Sequence, residues 1–174
     1  MSFFTMRVVG MNMDTLQYRD AVAENRRKHG FEALDTDATG FDSVWVARDD
    51  DDSVGDVFVL ATVVDVDDGR DADDLDPDDL RAMADAFREL LVDATDDRHD
   101  STTPLGYVLF PVPDPDPSLV NAATSYTVAR RRTNVFPLIY DCETETLHRH
   151  EVPRLKGRGI YRRQAEDAER LFDI

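Results

Sequence analysis

The chain has 174 residues and a formal net charge of −17, from 37 acidic and 20 basic side chains. That length suits one domain with a proper core, and 41% apolar content with clear amphipathic periodicity excludes a disordered acidic chain. The single cysteine, Cys142, excludes an intramolecular disulfide and a cysteine-based zinc framework, and reads as a small buried hydrophobe.

The charge is unevenly spread. Residues 1–120 hold 29 acids against ten bases, whereas residues 121–174 hold eight acids against ten bases. Asp supplies 29 of the 37 acids, and the only lysines are Lys28 and Lys156 against 18 Arg. Such a surface repels itself at low salt, but at molar salt the Debye length falls to about 3 Å and the repulsion is screened. The composition therefore points to a cytoplasmic protein of a salt-adapted cell. No run approaches the ~18 apolar residues of a membrane span, and Met1 to Gly10 lacks the layout of a signal peptide, so no membrane partner is expected.

In chain order, Thr5 to Gly10 reads as a strand, and Asp14 with Gln17 forms a capping-box start for the first helix. Tyr18, Ala21, Val22 and Asn25 share its inner face. Gly30 ends it after Arg26, Arg27, Lys28 and His29, whose charges suit a helix C-terminus. Phe31 to Leu34 reads as a loop or a brief strand. Val44 to Arg48 and Val57 to Val66 form a hairpin with Asp49 to Asp52 at its tip, the second strand apolar on both faces and hence central. Asp65 to Asp79 is an acidic loop whose spacing is wrong for an EF-hand; it ends in Asp76 and Pro77, suited to N-cap and N1. Leu80, Met83, Ala84, Phe87, Leu90, Leu91 and Ala94 then mark a four-turn amphipathic helix.

Gly106 to Val112 is the next strand, and Pro111, Pro113, Pro115 and Pro117 make a stiff connector. Beyond Ser118 the pattern predicts a helical turn, a strand near Tyr126 to Arg130, a hairpin of Val135 to Cys142 with Leu147 to Val152, and a helix from Ile160 to Phe172. The division is thus an α/β core at 1–112, a connector at 113–117, and C-terminal strands and helix at 118–174 packed on the same core.

The expected class is α+β, a single domain with a mixed, mostly antiparallel sheet flanked by helices. With Phe31 to Leu34 as loop, the core reads βαββαβ, a ferredoxin-like arrangement with an added hairpin and helix. With those residues as a strand, the order helix, three strands, helix, strand is similar to the αβββαβ core of the PD-(D/E)XK nuclease superfamily. His29-Gly30-Phe31 and Gly40-Phe41-Asp42 carry that resemblance, which implies a metal-binding role for Asp42. The following strand has Leu60, Ala61 and Thr62 where the family has acid-x-Lys, which implies a dead site.

The C-terminal cations carry the main functional expectation. Arg130, Arg131 and Arg132 are consecutive, and Arg154, Lys156, Arg158, Arg162 and Arg163 surround Gly157 and Gly159 just before the last helix. Glycine backbone, a helix N-terminus and arginine forks suit a phosphate, while Tyr126 and Tyr161 can stack on bases. At molar salt geometric arginine contacts count for more than diffuse charge. The expectation is a noncatalytic protein that binds a phosphorylated ligand or nucleic acid there, with no cofactor. The rivals are a protein-interaction or homo-oligomer module and a metal-dependent hydrolase using His148, His150 and Asp141. Ser125 lacks a nucleophile-elbow setting, and Cys142 lacks a helix N-terminus to activate it.

Overall fold

The computed structural model describes residues 15–34, 41, 44–51, 54–64, 75–95, 102–130, 132–154 and 158–172. The predicted strand at Thr5 to Gly10, and Asp14 of the predicted capping box, lie outside these residues. The chain is an α+β protein with four helices and an open, mixed, seven-stranded sheet among the described residues. In chain order the elements are α1 (Thr15–Lys28), β1 (Glu32–Leu34), β2 (Val44–Asp51), β3 (Gly55–Val63), α2 (Pro77–Thr95), β4 (Thr103–Val112), α3 (Pro117–Thr124), β5 (Ala129–Arg130), β6 (Thr133–Asp141), β7 (Thr146–His148) and α4 (Arg158–Leu171).

The sheet order is β1-β2-β3-β4-β6-β5, with β7 also on β6. The β1–β2 and β2–β3 pairs are antiparallel, and β3–β4 and β4–β6 are parallel. This corrects the ferredoxin-like expectation. A split βαβ unit needs another strand between the two that the helix connects, yet β3 and β4, joined through α2, are direct neighbours. Glu32–Leu34 is a strand paired to Val44–Val46, so the chain from α1 to β4 runs helix, three strands, helix, strand.

Alternation along the central strands builds the core on both faces. Val57, Val59, Ala61 and Val63 of β3 face one cluster with Tyr18 and Val22 of α1 and Ala168, Leu171 and Phe172 at the end of α4. Phe58 and Leu60 face the other, with Leu80, Ala84, Phe87 and Leu91 of α2 and Leu119, Ala122 and Ala123 of α3. The result is three layers, helices on each side of the sheet.

Local chemistry sets the ends of these elements. After α1 the N–H of Phe31 bonds the Arg26 carbonyl (3.0 Å) and that of Gly30 bonds Arg27 (3.3 Å), a Schellman turn with Gly30 at φ 84°. Before α2, Asp76 Oδ1 accepts from the Asp79 N–H at 2.8 Å with Pro77 at the first helical position, as the sequence implies. Gly106 of β4 lets α2 approach closely: a Cβ there would sit 3.1 Å from the Phe87 ring and 3.2 Å from Leu91.

At the far edge, the Val135 N–H points outward to the Val128 carbonyl (3.0 Å). Two residues on, Pro137 faces the same way, between the end of β5 pairing at Asn134 and the start of β7 pairing at Ile139. A missing N–H is harmless there.

Several predicted strands change length. The acidic tip at Asp49 to Asp51 belongs to β2, the strand near Tyr126 to Arg130 shrinks to Ala129–Arg130, and β7 ends at His148, short of Val152.

Candidate functional site

The arginines separate into spent and unspent groups. Arg163 is buried and not a binding arm: Nε pairs with Asp167 Oδ2 at 2.8 Å, and Nη1 reaches Asp49 at 3.0 Å and Asp51 at 3.4 Å. Tyr107 donates its hydroxyl to the same Asp167 oxygen at 2.7 Å, and Arg170 pairs with the other. Burial, then the Asp167 carboxylate, pushes the Tyr107 phenol well above its ordinary range. Burial acts to lower the Arg163 pKa, but the Asp167 carboxylate prevails and raises it.

Arg88, which sequence reasoning missed, is a second spent arginine. Its Nη1 donates to the carbonyls of Arg130 (2.9 Å) and Thr133 (3.3 Å) and to Thr133 Oγ1 (2.9 Å). Its Nη2 donates to the carbonyls of Thr127 (2.7 Å) and Val128 (2.9 Å). One buried guanidinium therefore shapes the segment carrying the predicted arginine run. Arg130 is exposed beside a hollow of about 450 Å³ that Asp85 and Glu89 also line, and Arg132 is exposed at φ 64°. Arg131, Lys156 and Gly157 lie outside the described residues. Arg158 begins α4, with Gly159 in its first turn and Arg162 exposed on the second, and Arg154 is exposed just before the helix. Among the described residues, no carboxylate lies within ion-pair distance of Arg130, Arg132, Arg154 or Arg162.

The two tyrosines singled out for stacking meet on one cavity of about 680 Å³, in the size range of small-molecule sites. Thr124, Ser125 and Tyr126 line it from the end of α3, Arg149, His150, Glu151 and Pro153 from the chain leaving β7, and Tyr161 from the first turn of α4. Tyr126 is held by its hydroxyl on Asp85 and its ring near the Arg88 guanidinium, 5.5 Å away. Burial, then the Asp85 hydrogen bond, raises its pKa. Tyr161 stands edge-on to Phe136 at 5.4 Å. Arg154 and Arg162 follow the lining residues Pro153 and Tyr161 in sequence and do not themselves line the cavity. Arg130 lines the other hollow, which shares no lining residue with this cavity.

His150 is the buried polar residue of this wall, 4% exposed, with its backbone fixed by Gln164: His150 N–H donates to Oε1 (2.9 Å) and Gln164 Nε2 donates to the His150 carbonyl (3.1 Å). The imidazole packs edge-on to Phe136 at 5.4 Å and lies 6.3 Å from the Tyr161 ring. Burial lowers its pKa to about 4, with the Ala123 carbonyl opposing, so the ring is neutral near pH 7. Nε2 of the ring is fully enclosed and makes no well-formed hydrogen bond among the described residues, the Ala123 carbonyl being a polar group that faces the ring.

The rival chemistries find little geometry. Asp141 Oδ1 accepts from the backbone N–H groups of Asp114 (3.1 Å), Glu143 (2.9 Å) and Thr144 (3.3 Å), capping the β6–β7 turn. Burial alone would raise its pKa, but these bonds prevail and lower it. Among the described residues no group of three His, Cys, Asp or Glu side chains could hold a metal ion. Cys142 is buried and free, and Ser125 Oγ donates to the Asn121 carbonyl at 2.6 Å. Asp42 lies outside the described residues, while Leu60, Ala61 and Thr62 are fully buried in β3. No described helix is long and apolar enough to cross a membrane.

Comparison with protein-family models, with curated proteins and with solved structures finds no match to this chain.

Proposed function

We propose that the protein is a noncatalytic, cytoplasmic binding protein of a salt-adapted cell that holds a phosphorylated ligand or nucleic acid through its arginine-rich C-terminal region. The observation that carries this reading is the cavity lined by Tyr126, Tyr161 and exposed Arg149, with exposed Arg154 and Arg162 next in sequence to its lining residues Pro153 and Tyr161. In a chain of net charge −17, cations without a carboxylate partner are the scarce resource, and one of them, Arg149, lines the same cavity as two tyrosines. Rings accept a base by stacking, and guanidinium forks hold phosphate by directed bonds that survive high salt. Of the predicted set, Arg163 is withdrawn because it is committed to Asp167, Asp49 and Asp51, while Arg154, Arg162 and Gly159 stay in the proposal beside Arg130, Arg132 and Arg158. Replacing both Arg154 and Arg162 by Ala should weaken retention of nucleotides or single-stranded RNA at molar KCl by at least about tenfold, a loss of ~1.4 kcal/mol. Unchanged retention would overturn the reading.

A second reading concerns ancestry of the scaffold. The order α1-β1-β2-β3-α2-β4 supports a core similar to the PD-(D/E)XK nucleases, and buried Leu60, Ala61 and Thr62 support loss of their chemistry. Metal-dependent cleavage of DNA by the purified protein, abolished by Asp42→Ala, would contradict that inactive state.

A further inference from the structure

Resting on the phosphate-binding reading, we infer that the ligand entering the cavity between the end of α3 and the start of α4 is a small phosphate ester that also carries an ammonium group, with Arg149 on the phosphate and Glu151 on the ammonium. Along residues 149–151 exposure alternates: Arg149 and Glu151 are exposed, while His150 between them is buried against Phe136. That period of two belongs to extended chain, in which side chains two apart share a face. Gln164 fixes the segment by bonding both the N–H and the carbonyl of His150. Two opposite charges therefore stand on one face, and both line the cavity. No ion pair joins them, and Glu151 has no partner among the described residues. Arg149 Nη1 donates to the His150 carbonyl at 2.9 Å, which anchors the guanidinium and leaves its remaining N–H groups for an anion.

The hydroxyls at the end of α3 face a donor-bearing ligand. Thr124 Oγ1 donates to the Val120 carbonyl (3.0 Å), Ser125 Oγ to that of Asn121 (2.6 Å), and the Tyr126 hydroxyl to Asp85. With those protons engaged, each of these oxygens keeps only acceptor capacity, and Glu151 adds a carboxylate, whereas an ammonium brings three donors. Tyr126 already has the Arg88 guanidinium 5.5 Å from its ring; among the described residues no cation of the protein lies over Tyr161, which leaves that ring for the ammonium. Charge points the same way. Arg149 is the only cation among the lining residues, so a bare phosphate meets repulsion from Glu151 in a −17 chain, and an ammonium on the ligand turns that carboxylate into a partner.

The test is calorimetric titration of the whole chain in molar KCl with three probes: phosphoethanolamine, its hydroxyl counterpart 2-hydroxyethyl phosphate, and β-alanine, which carries a carboxylate in place of the phosphate. Phosphoethanolamine should bind at least tenfold more tightly than either of the others. Glu151→Gln should remove its preference over 2-hydroxyethyl phosphate and leave the affinity for 2-hydroxyethyl phosphate within about threefold. Arg149→Gln should weaken both phosphates at least fivefold. Both positions are exposed, so the two variants should unfold at the denaturant midpoint of the unmodified chain. Equal binding of the two phosphates, or a preference that survives Glu151→Gln, overturns the ammonium site and leaves phosphate binding standing. Binding of neither phosphate overturns both. β-Alanine that binds as tightly as phosphoethanolamine overturns the phosphate reading at this cavity.

Discussion

Arg154 and Arg163 lie nine positions apart on either side of the start of α4, and their chemistry is opposite. Arg163 is buried among Asp167, Asp49 and Asp51, and stitches α4 to the tip of β2. Arg154 is exposed, next in sequence to Pro153 of the cavity wall, with no carboxylate partner among the described residues. In a chain so rich in Asp, a cation is consumed by the fold wherever a carboxylate can reach it. What stays unpaired is where a ligand can be held. Arg88 belongs with Arg163, since its bonds define the backbone from Thr127 to Thr133.

That division can be broken in five places. Arg88→Met should cost most, about 4 kcal/mol, because four backbone carbonyls lose their donor and some stay buried; denaturant unfolding would measure it, and a cost under 1 kcal/mol would return Arg88 to the surface class. Arg163→Met should cost about 3 kcal/mol by leaving buried Asp167 with only the Tyr107 hydroxyl and Arg170, with weak salt dependence because the pair is buried. Changing pH should expose His150. Its folded pKa of about 4 lies below the ordinary 6.5, so the unfolded chain takes up the proton first, and its contribution to stability is lost as pH falls from 6.5 toward 4. The loss is up to about 3 kcal/mol and should be missing from the pH profile of His150→Phe.

Gly106→Ala should cost about 1 kcal/mol, since the Phe87 ring and Leu91 must give by a few tenths of an ångström. Arg154→Ala and Arg162→Ala should change unfolding stability by less than about 0.5 kcal/mol each, as exposed positions do. A larger cost at either would move it into the structural group.

Much of the scaffold was legible because local signals were strong. Gly30, the Asp76–Pro77 cap and the periodicity of α2 act within a few residues, and β3 announces a buried strand by being apolar on both faces. Sheet order was not legible, because β1 is three residues long and its pairing with β2 decides between two topologies. At the site, the i,i+4 spacing of Arg163 and Asp167 was visible and could have withdrawn Arg163 early. Its other partners, Asp49 and Asp51, are more than a hundred positions away. Tyr126 and Tyr161 were readable as stacking residues, but their meeting depends on α3 and α4 reaching around the same edge of β6. The rival metal reading set His148 and His150 on one face of a strand; the strand stops at His148, and Gln164 of α4 draws His150 into the wall.

The most direct test of the division is retention of single-stranded RNA at molar KCl by the whole chain and by the variant carrying both Arg154→Ala and Arg162→Ala. The account predicts a loss of at least about tenfold in the variant, with unfolding stability unchanged. Equal retention by the two proteins would contradict it.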